Sequence, residues 1–158
     1  MVLAEYDSQK VKLLINEWLY YILIDRLKYP EKNISHVKLP SKLEHFLFVK
    51  SKPYLYWFIV LKSYMCLRAH TTRKYMIGST YLTENGELGI NLLNKYDNFK
   101  NFRDIYLRMK SIHSIPDFIC RLQMNVNPKN IKRIKYLKSL NFKLLKKDIN
   151  QDIYINNV

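Results

Sequence analysis

Four lysines, Lys129, Lys132, Lys135 and Lys138, follow one another at three-residue spacing in the stretch NVNPKNIKRIKYLKSLNFK. On an α-helix that spacing sets side chains along one face. With Arg133, Lys143, Lys146 and Lys147 they make eight basic residues between positions 129 and 147, with no acidic one among them. Such a surface can hold a polyanion: nucleic acid, an acidic protein or a phosphate-bearing cofactor. It is equally the solvated face of a chain rich in Lys, Asn, Ile and Tyr, a composition that AT-rich coding produces. Other chemistry is sparse. His36, His45, His70 and His113 are scattered along the chain, and no metal site is expected. Cys66 and Cys120 lack metal-ligand spacing and read as two buried thiols of a reducing compartment. No Ser-His-Asp arrangement, phosphate-binding loop or zinc motif is present. Tyr54, Tyr56, Trp57 and Phe58 could stack bases, but core packing is the expected role.

The 158 residues suit one domain, 1–158, with a helical part at 1–50 and a sheet-bearing part at 54–158. At 48% hydrophobic and 14% aromatic, the chain can bury a core. Only three glycines are available for tight turns or close backbone approach to a ligand. The net charge of +14 favours anionic partners. The segment MVLAEYDSQKVK lacks the order of an export signal, and LLINEWLYYILI and PYLYWFIVL are too short to span a bilayer. A cytoplasmic protein is expected, or a virion-associated one if phage-encoded.

The elements that must position these residues can be read in turn. Residues 8–28 form a broad apolar helix, capped at Asp7 or Ser8 and stopped by Pro30. Ser41 and Glu44 stand in capping-box spacing before a short helix over 41–50. The aromatic and β-branched stretch 54–70 suits one long or two short strands, and 74–82 another. TENG at 83–86 is a hairpin turn, with Asn85 and Gly86 at the positive-φ positions, and 87–93 is the return strand. A helix runs from 98 or 101 to 111, with Phe102, Ile105, Tyr106 and Met109 on its inner face. Phe118, Cys120, Leu122 and Met124 alternate inward along a strand at 118–126. The basic helix follows, with Ile131, Ile134, Leu137 and Leu140 towards the core, then two closing strands. Helices and strands mix within one domain, an α+β or mixed α/β class.

The order and two stretches, KYMIGSTYLTENGELGINLL and FICRLQMNVNPKNIKRIKYLKSLNFK, resemble the GNAT acyltransferase superfamily, especially its ribosomal-protein and polyamine acetyltransferase branch. Asn130 lies twelve positions before Phe142, and Leu140-Asn141-Phe142 stands where the family has Leu-Gly-Phe. The resemblance runs from about residue 54 to the C-terminus. It implies a mostly antiparallel central sheet flanked by about four helices. Strands 87–93 and 118–126 should lie side by side and parallel, splayed to admit the pantetheine arm of acyl-CoA.

It further implies N-acyl transfer to an amine acceptor, with Glu87 as base and Tyr136 as general acid. Leu92, Leu93, Asn94, Lys95, Lys100, Asn101, Phe102, Arg103 and Asn130 become the residues that hold acetyl-CoA. The cofactor loop NKYDNFKNFR departs from the family in having no glycine and in carrying Asp97. Arg133 replaces a small residue, and Leu137 stands where the family's tyrosine would. These departures imply weak acetyl-CoA binding. They also leave open a second function, a catalytically inactive basic module of a phage or plasmid, binding nucleic acid or an acidic protein through Lys129, Lys132, Lys135 and Lys138.

Overall fold

The computed structural model describes residues 2–5, 12–34, 38–66, 71–111, 116 and 119–157. In chain order the elements are β1 (Val2–Glu5), α1 (Lys12–Leu27), α2 (Lys42–Lys50), β2 (Tyr56–Cys66), β3 (Thr71–Leu82) and β4 (Leu88–Leu92). Then come α3 (Phe99–Lys110), β5 (Arg121–Val126), α4 (Ile131–Ser139), β6 (Lys143–Lys147) and β7 (Asp152–Asn157). The class is α+β, with four α-helices among the described residues. The part of the expected first helix before Lys12 lies outside the described residues.

Hydrogen bonding divides the strands into two antiparallel sheets, β1-β2-β3-β4 and β5-β7-β6. A central sheet holding 87–93 and 118–126 as a splayed parallel pair was expected, and among the described residues the two meet through one parallel bridge, Glu87 to Gln123, where the Gln123 N–H donates to the Gly86 carbonyl at 2.8 Å. Beyond that bridge β4 and β5 separate. The splay is therefore wider than the sequence suggested, and it opens a wedge between the sheets.

Two clusters pack against the first sheet. Ile15, Leu19, Ile22, Val49, Ile59 and Leu93 join α1 and α2 to one of its faces. On the other, Phe58, Val60, Ile77, Ile90 and Leu92 meet Phe102, Ile105 and Met109 of α3, Leu122 and Met124 of β5 and Leu137 of α4. The alternation Phe58, Ile59, Val60 sends neighbouring side chains to opposite clusters, as a strand must. The second cluster draws on both sheets, so apolar packing binds them where main-chain pairing does not. Phe102, fully buried, contributes about 1.5–3 kcal/mol by burial alone.

Several local expectations need correction. Only Gly86 of the hairpin turn has positive φ, at 79°; the Gly86 N–H returns to the Thr83 carbonyl, and Asn85 keeps an ordinary conformation. The turn is thus a tight turn followed by one left-handed glycine, not an Asn-Gly pair of left-handed residues. The fifth strand begins at Arg121; Ile119 is buried and Cys120 exposed, and Phe118 lies outside the described residues. Ile131 is 56% exposed, whereas Ile134, Leu137 and Leu140 do pack on the core, joined there by the buried Arg133.

Candidate functional site

The wedge between β4 and β5 is built by the hairpin turn that precedes β4. Gly86 is required there twice over, by its positive φ and because a Cβ would stand 2.5 Å from the Arg121 carbonyl oxygen. Close approach at this point lets the two sheets meet at Glu87. On the opposite strand Tyr81 pairs with Gly89, and its ring fills the space a Cβ at Gly89 would take. Lying across that glycine, Tyr81 donates from its hydroxyl to Glu87 Oε1 at 3.2 Å. Burial, and after it the charge of Glu87, push the Tyr81 phenol well above its ordinary value, so it remains a donor.

The cleft so formed, of about 190 Å³, is lined among others by Tyr81, Glu87, Ile90, Asn91, Asn130 and Arg133. Asn130 is at once a wall of the cleft and the cap of α4, its Oδ1 accepting from the Arg133 N–H at 3.0 Å. That cap fixes where α4 starts, and so aims the Arg133 side chain. Its Nη1 donates to the Ile90 carbonyl of β4 at 3.1 Å, its Nη2 lies 3.4 Å from Asp97 Oδ1, and its guanidinium sits 4.3 Å from the Phe102 ring centre. The guanidinium thus bridges the wedge from α4 to β4, taking a carbonyl that open strand separation would leave available. Burial lowers the Arg133 pKa and the adjacent Asp97 opposes that shift.

Asp97 gathers three cations. Its side chain is 3% exposed, with Lys32 Nζ at 2.9 Å, Arg133 Nη2 at 3.4 Å and Lys132 Nζ at 3.9 Å; Lys132 Nζ also donates to the Asp97 carbonyl. Lys32 reaches Asn94 Oδ1 as well, at 2.9 Å, while the Asn94 N–H donates to Asp25 at 2.7 Å. The loop before α3 is therefore held by side chains and ion pairs, where glycine would have left its amides bare.

The residues singled out from the sequence divide into three groups. Glu87 and Asn130 line the cleft together, with Leu92 on its wall. Leu93, Asn101 and Phe102 are buried in the packing around it. Asn101 secures the start of α3, donating from Nδ2 to the Tyr96 carbonyl at 2.8 Å. Lys95, Lys100 and Arg103 are exposed about the amino end of α3. Tyr136 is not brought to Glu87: its hydroxyl lies 3.5 Å from the Asp97 carbonyl and its ring packs on Phe99 and Phe102. Burial and the charge of Asp97 raise its pKa. Lys129, in the turn before α4, and Lys132, Lys135 and Lys138 on it are all exposed, although Lys132 is drawn towards Asp97. No group of metal-ligating side chains occurs among the described residues.

Sequence reasoning missed Tyr81, Arg26 and Lys32. The Tyr81–Gly89 pairing was available once the hairpin register was fixed. The reach of Lys32 across 65 residues to Asp97 had no local signal.

No protein-family model matches the sequence, and no curated protein does. Solved structures do. A domain from Methanocaldococcus jannaschii is 21% identical, covers 99% of this chain and 97% of its own, and superposes with a TM-score of 0.65. An acetyltransferase from Thermus thermophilus is 13% identical, with 99% and 96% covered and a TM-score of 0.65. The spermidine N-acetyltransferase from Vibrio cholerae, solved with CoA and spermine, is 14% identical, with 99% and 94% covered and a TM-score of 0.62. With nearly the whole of both chains aligned in each case, this chain has the GNAT N-acetyltransferase fold.

Proposed function

We propose that the protein transfers an acyl group from acyl-CoA to an amine. The observation that carries this reading is Glu87, a carboxylate set in the cleft at the parallel bridge between the sheets and fixed by Tyr81. An amine arriving at neutral pH is an ammonium ion and must lose a proton before its nitrogen can attack. Glu87 is placed to take that proton, directly or through one water, and general-base help of this kind is worth about 10²–10⁴ in rate. Tyr81 stays protonated and holds Glu87 in one orientation.

The Vibrio cholerae spermidine N-acetyltransferase is crystallised with CoA, and the residues here fit such a cofactor with one exception. Lys95, Lys100 and Arg103 surround the amino end of α3, where backbone polarity favours phosphate. Leu92 and Asn130 line the slot beside β4, and Leu93 and Asn94 continue the chain from it. Arg133 is the exception, because its guanidinium occupies the Ile90 carbonyl. A cleft of about 190 Å³ is little more than the space that holds one benzene, about 150 Å³ in an engineered cavity, so Arg133 must withdraw for a pantetheine arm to enter. Breaking hydrogen bonds to a charged group costs about 1.5–3 kcal/mol each, which weakens acetyl-CoA binding roughly 10- to 150-fold for each bond broken. When bound, acyl-CoA supplies the thioester carbonyl. The chain's own residues orient the amine against it and hold the displaced proton.

Release of CoA from acetyl-CoA, assayed against a panel of primary amines, tests the reading. Transfer to at least one amine is expected, with kcat reduced about 100-fold or more in Glu87→Gln and the KM for acetyl-CoA little changed. Undiminished kcat in that variant would remove Glu87 from the chemistry. Absence of transfer at millimolar acetyl-CoA across the panel would reject the function.

A further inference from the structure

A second space opens beside the first. It has a volume of about 220 Å³ and lies between α1, α2 and β2, with Phe48, Tyr54 and Trp57 as its aromatic walls. Three residues, Ile22, Arg26 and Asn91, line both this pocket and the cleft that holds Glu87, so the two spaces adjoin. The rings are packed edge to face, Tyr54 on Trp57 at 4.8 Å and Phe48 on Trp57 at 6.2 Å, an arrangement that preserves the cavity's shape. Tyr54 also stacks on Tyr81 at 4.0 Å, and Tyr81 touches Glu87, so the pocket stands one ring from the proposed base.

Three polar features accompany this apolar volume. The indole N–H of Trp57 is buried without a hydrogen-bond partner among the described residues. Arg26 stands where the two spaces meet and contacts Asn91 Oδ1 at 3.4 Å, its pKa lowered by burial. Glu44 is at the rim, and its carboxylate accepts from the Ser41 N–H at 2.7 Å. A ligand spanning both spaces therefore meets, in order, a carboxylate, a guanidinium and an aromatic box that contains an unused donor.

We infer that the amine acceptor is an α-amino acid with a large apolar side chain, free or as the first residue of a peptide. The inference rests on the acyl-transfer reading for the identity of the reacting nitrogen. The α-ammonium group meets Glu87, and the adjacent carboxylate or carbonyl meets Arg26 and offers an acceptor to the Trp57 N–H. The side chain fills the box between Phe48, Tyr54 and Trp57. A space of about 220 Å³ holds one aromatic or branched side chain and no more, by comparison with the roughly 150 Å³ that holds benzene. Spermidine is the wrong shape and charge for this site. It has no apolar body, and its several ammonium groups would face Arg26 in a protein of net charge +14.

Binding can be separated from turnover by saturation-transfer NMR or calorimetry on the unmodified protein without acetyl-CoA. L-Phenylalanine and L-leucine are expected to bind, phenethylamine (the same ring and amine without the carboxylate) at least tenfold more weakly, and spermidine not at all up to 10-fold higher concentration. A phenylalanyl-alanine arm distinguishes the sources: affinity equal to that of phenylalanine assigns peptide N-termini, and weaker affinity assigns the free amino acid. Arg26→Gln should erase the preference for phenylalanine over phenethylamine while leaving phenethylamine unchanged. Spermidine binding as tightly as phenylalanine, or an unaltered preference in that variant, would overturn the inference. Phenylalanine bound but never acetylated would instead remove the acyl-transfer reading and leave the pocket's specificity standing. Transfer to other amines with no phenylalanine binding would do the reverse.

Discussion

Arg133 and Asp97 are the two residues on which this site departs furthest from an open cofactor slot. Both were visible in the sequence as oddities, an arginine in place of a small residue and an acid within a basic loop. Their partnership was not, because 36 positions and a strand separate them. In the fold they are one device: the carboxylate draws the guanidinium across the wedge, and Lys32 completes the cluster. Asp97→Asn would leave Lys32 and Arg133, each with an 11% exposed side chain, without their counter-ion. A loss of about 3–5 kcal/mol is expected, measured as a lowered denaturant midpoint at unchanged slope. A loss below about 1 kcal/mol would mean that the cluster is solvated and does not hold Arg133 in place. Glu87 was legible because it follows the hairpin turn, the firmest local signal in the chain. Tyr136 was placed by its spacing on α4, yet its hydroxyl faces the Asp97 carbonyl because Arg133 occupies the neighbouring inward position.

The elements themselves were largely readable, and the capping signals show why. Ser41 and Glu44 form the full reciprocal box: Ser41 Oγ accepts from the Glu44 N–H at 3.2 Å, and Glu44 Oε2 accepts from the Ser41 N–H at 2.7 Å. Ser41→Ala should cost about 1 kcal/mol, a fall of roughly 2–4 °C in Tm for a chain of this size. The Ser41 backbone N–H, and after it the hydroxyl, hold the Glu44 carboxyl below its ordinary value. A depressed carboxyl stabilises the fold above its unfolded pKa, about 4.3, and that contribution is lost as pH falls towards the folded value. Helical signal from α2 should therefore weaken on acidification in the native protein and respond less in Glu44→Gln; equal responses would detach Glu44 from the cap. Asn141, with φ of 62°, ends α4 in the left-handed conformation that its sequence position implied. Ile131 was misread because a three- and four-residue periodicity does not say which edge of the stripe is inside. The capping of Asn130 turns Arg133 inward and Ile131 outward.

At the scale of the whole molecule, the two sheets share an apolar core and a parallel backbone bridge, and the candidate site lies where they part. That architecture was only half legible. Local periodicity identified strands, but neither the extent to which β4 and β5 separate nor the reach of Arg133 from α4 to the Ile90 carbonyl had a local signal. The charge of +14 acts at this scale too, since it favours encounter with anionic ligands, CoA phosphates among them. Acetyl-CoA association should therefore slow as salt rises from about 50 to about 500 mM, visible by stopped-flow, and a salt-independent rate would exclude electrostatic steering. Arg133 obstructs the proposed cofactor slot, and calorimetric titration of acetyl-CoA into the native protein and the Arg133→Ala variant tests that most directly. Weak binding, about 0.1 mM or worse, is expected in the native protein, tightening about tenfold or more in the variant as the Ile90 carbonyl is released. No heat of binding in either protein at millimolar acetyl-CoA, or micromolar binding by the native protein with none gained in the variant, would contradict it.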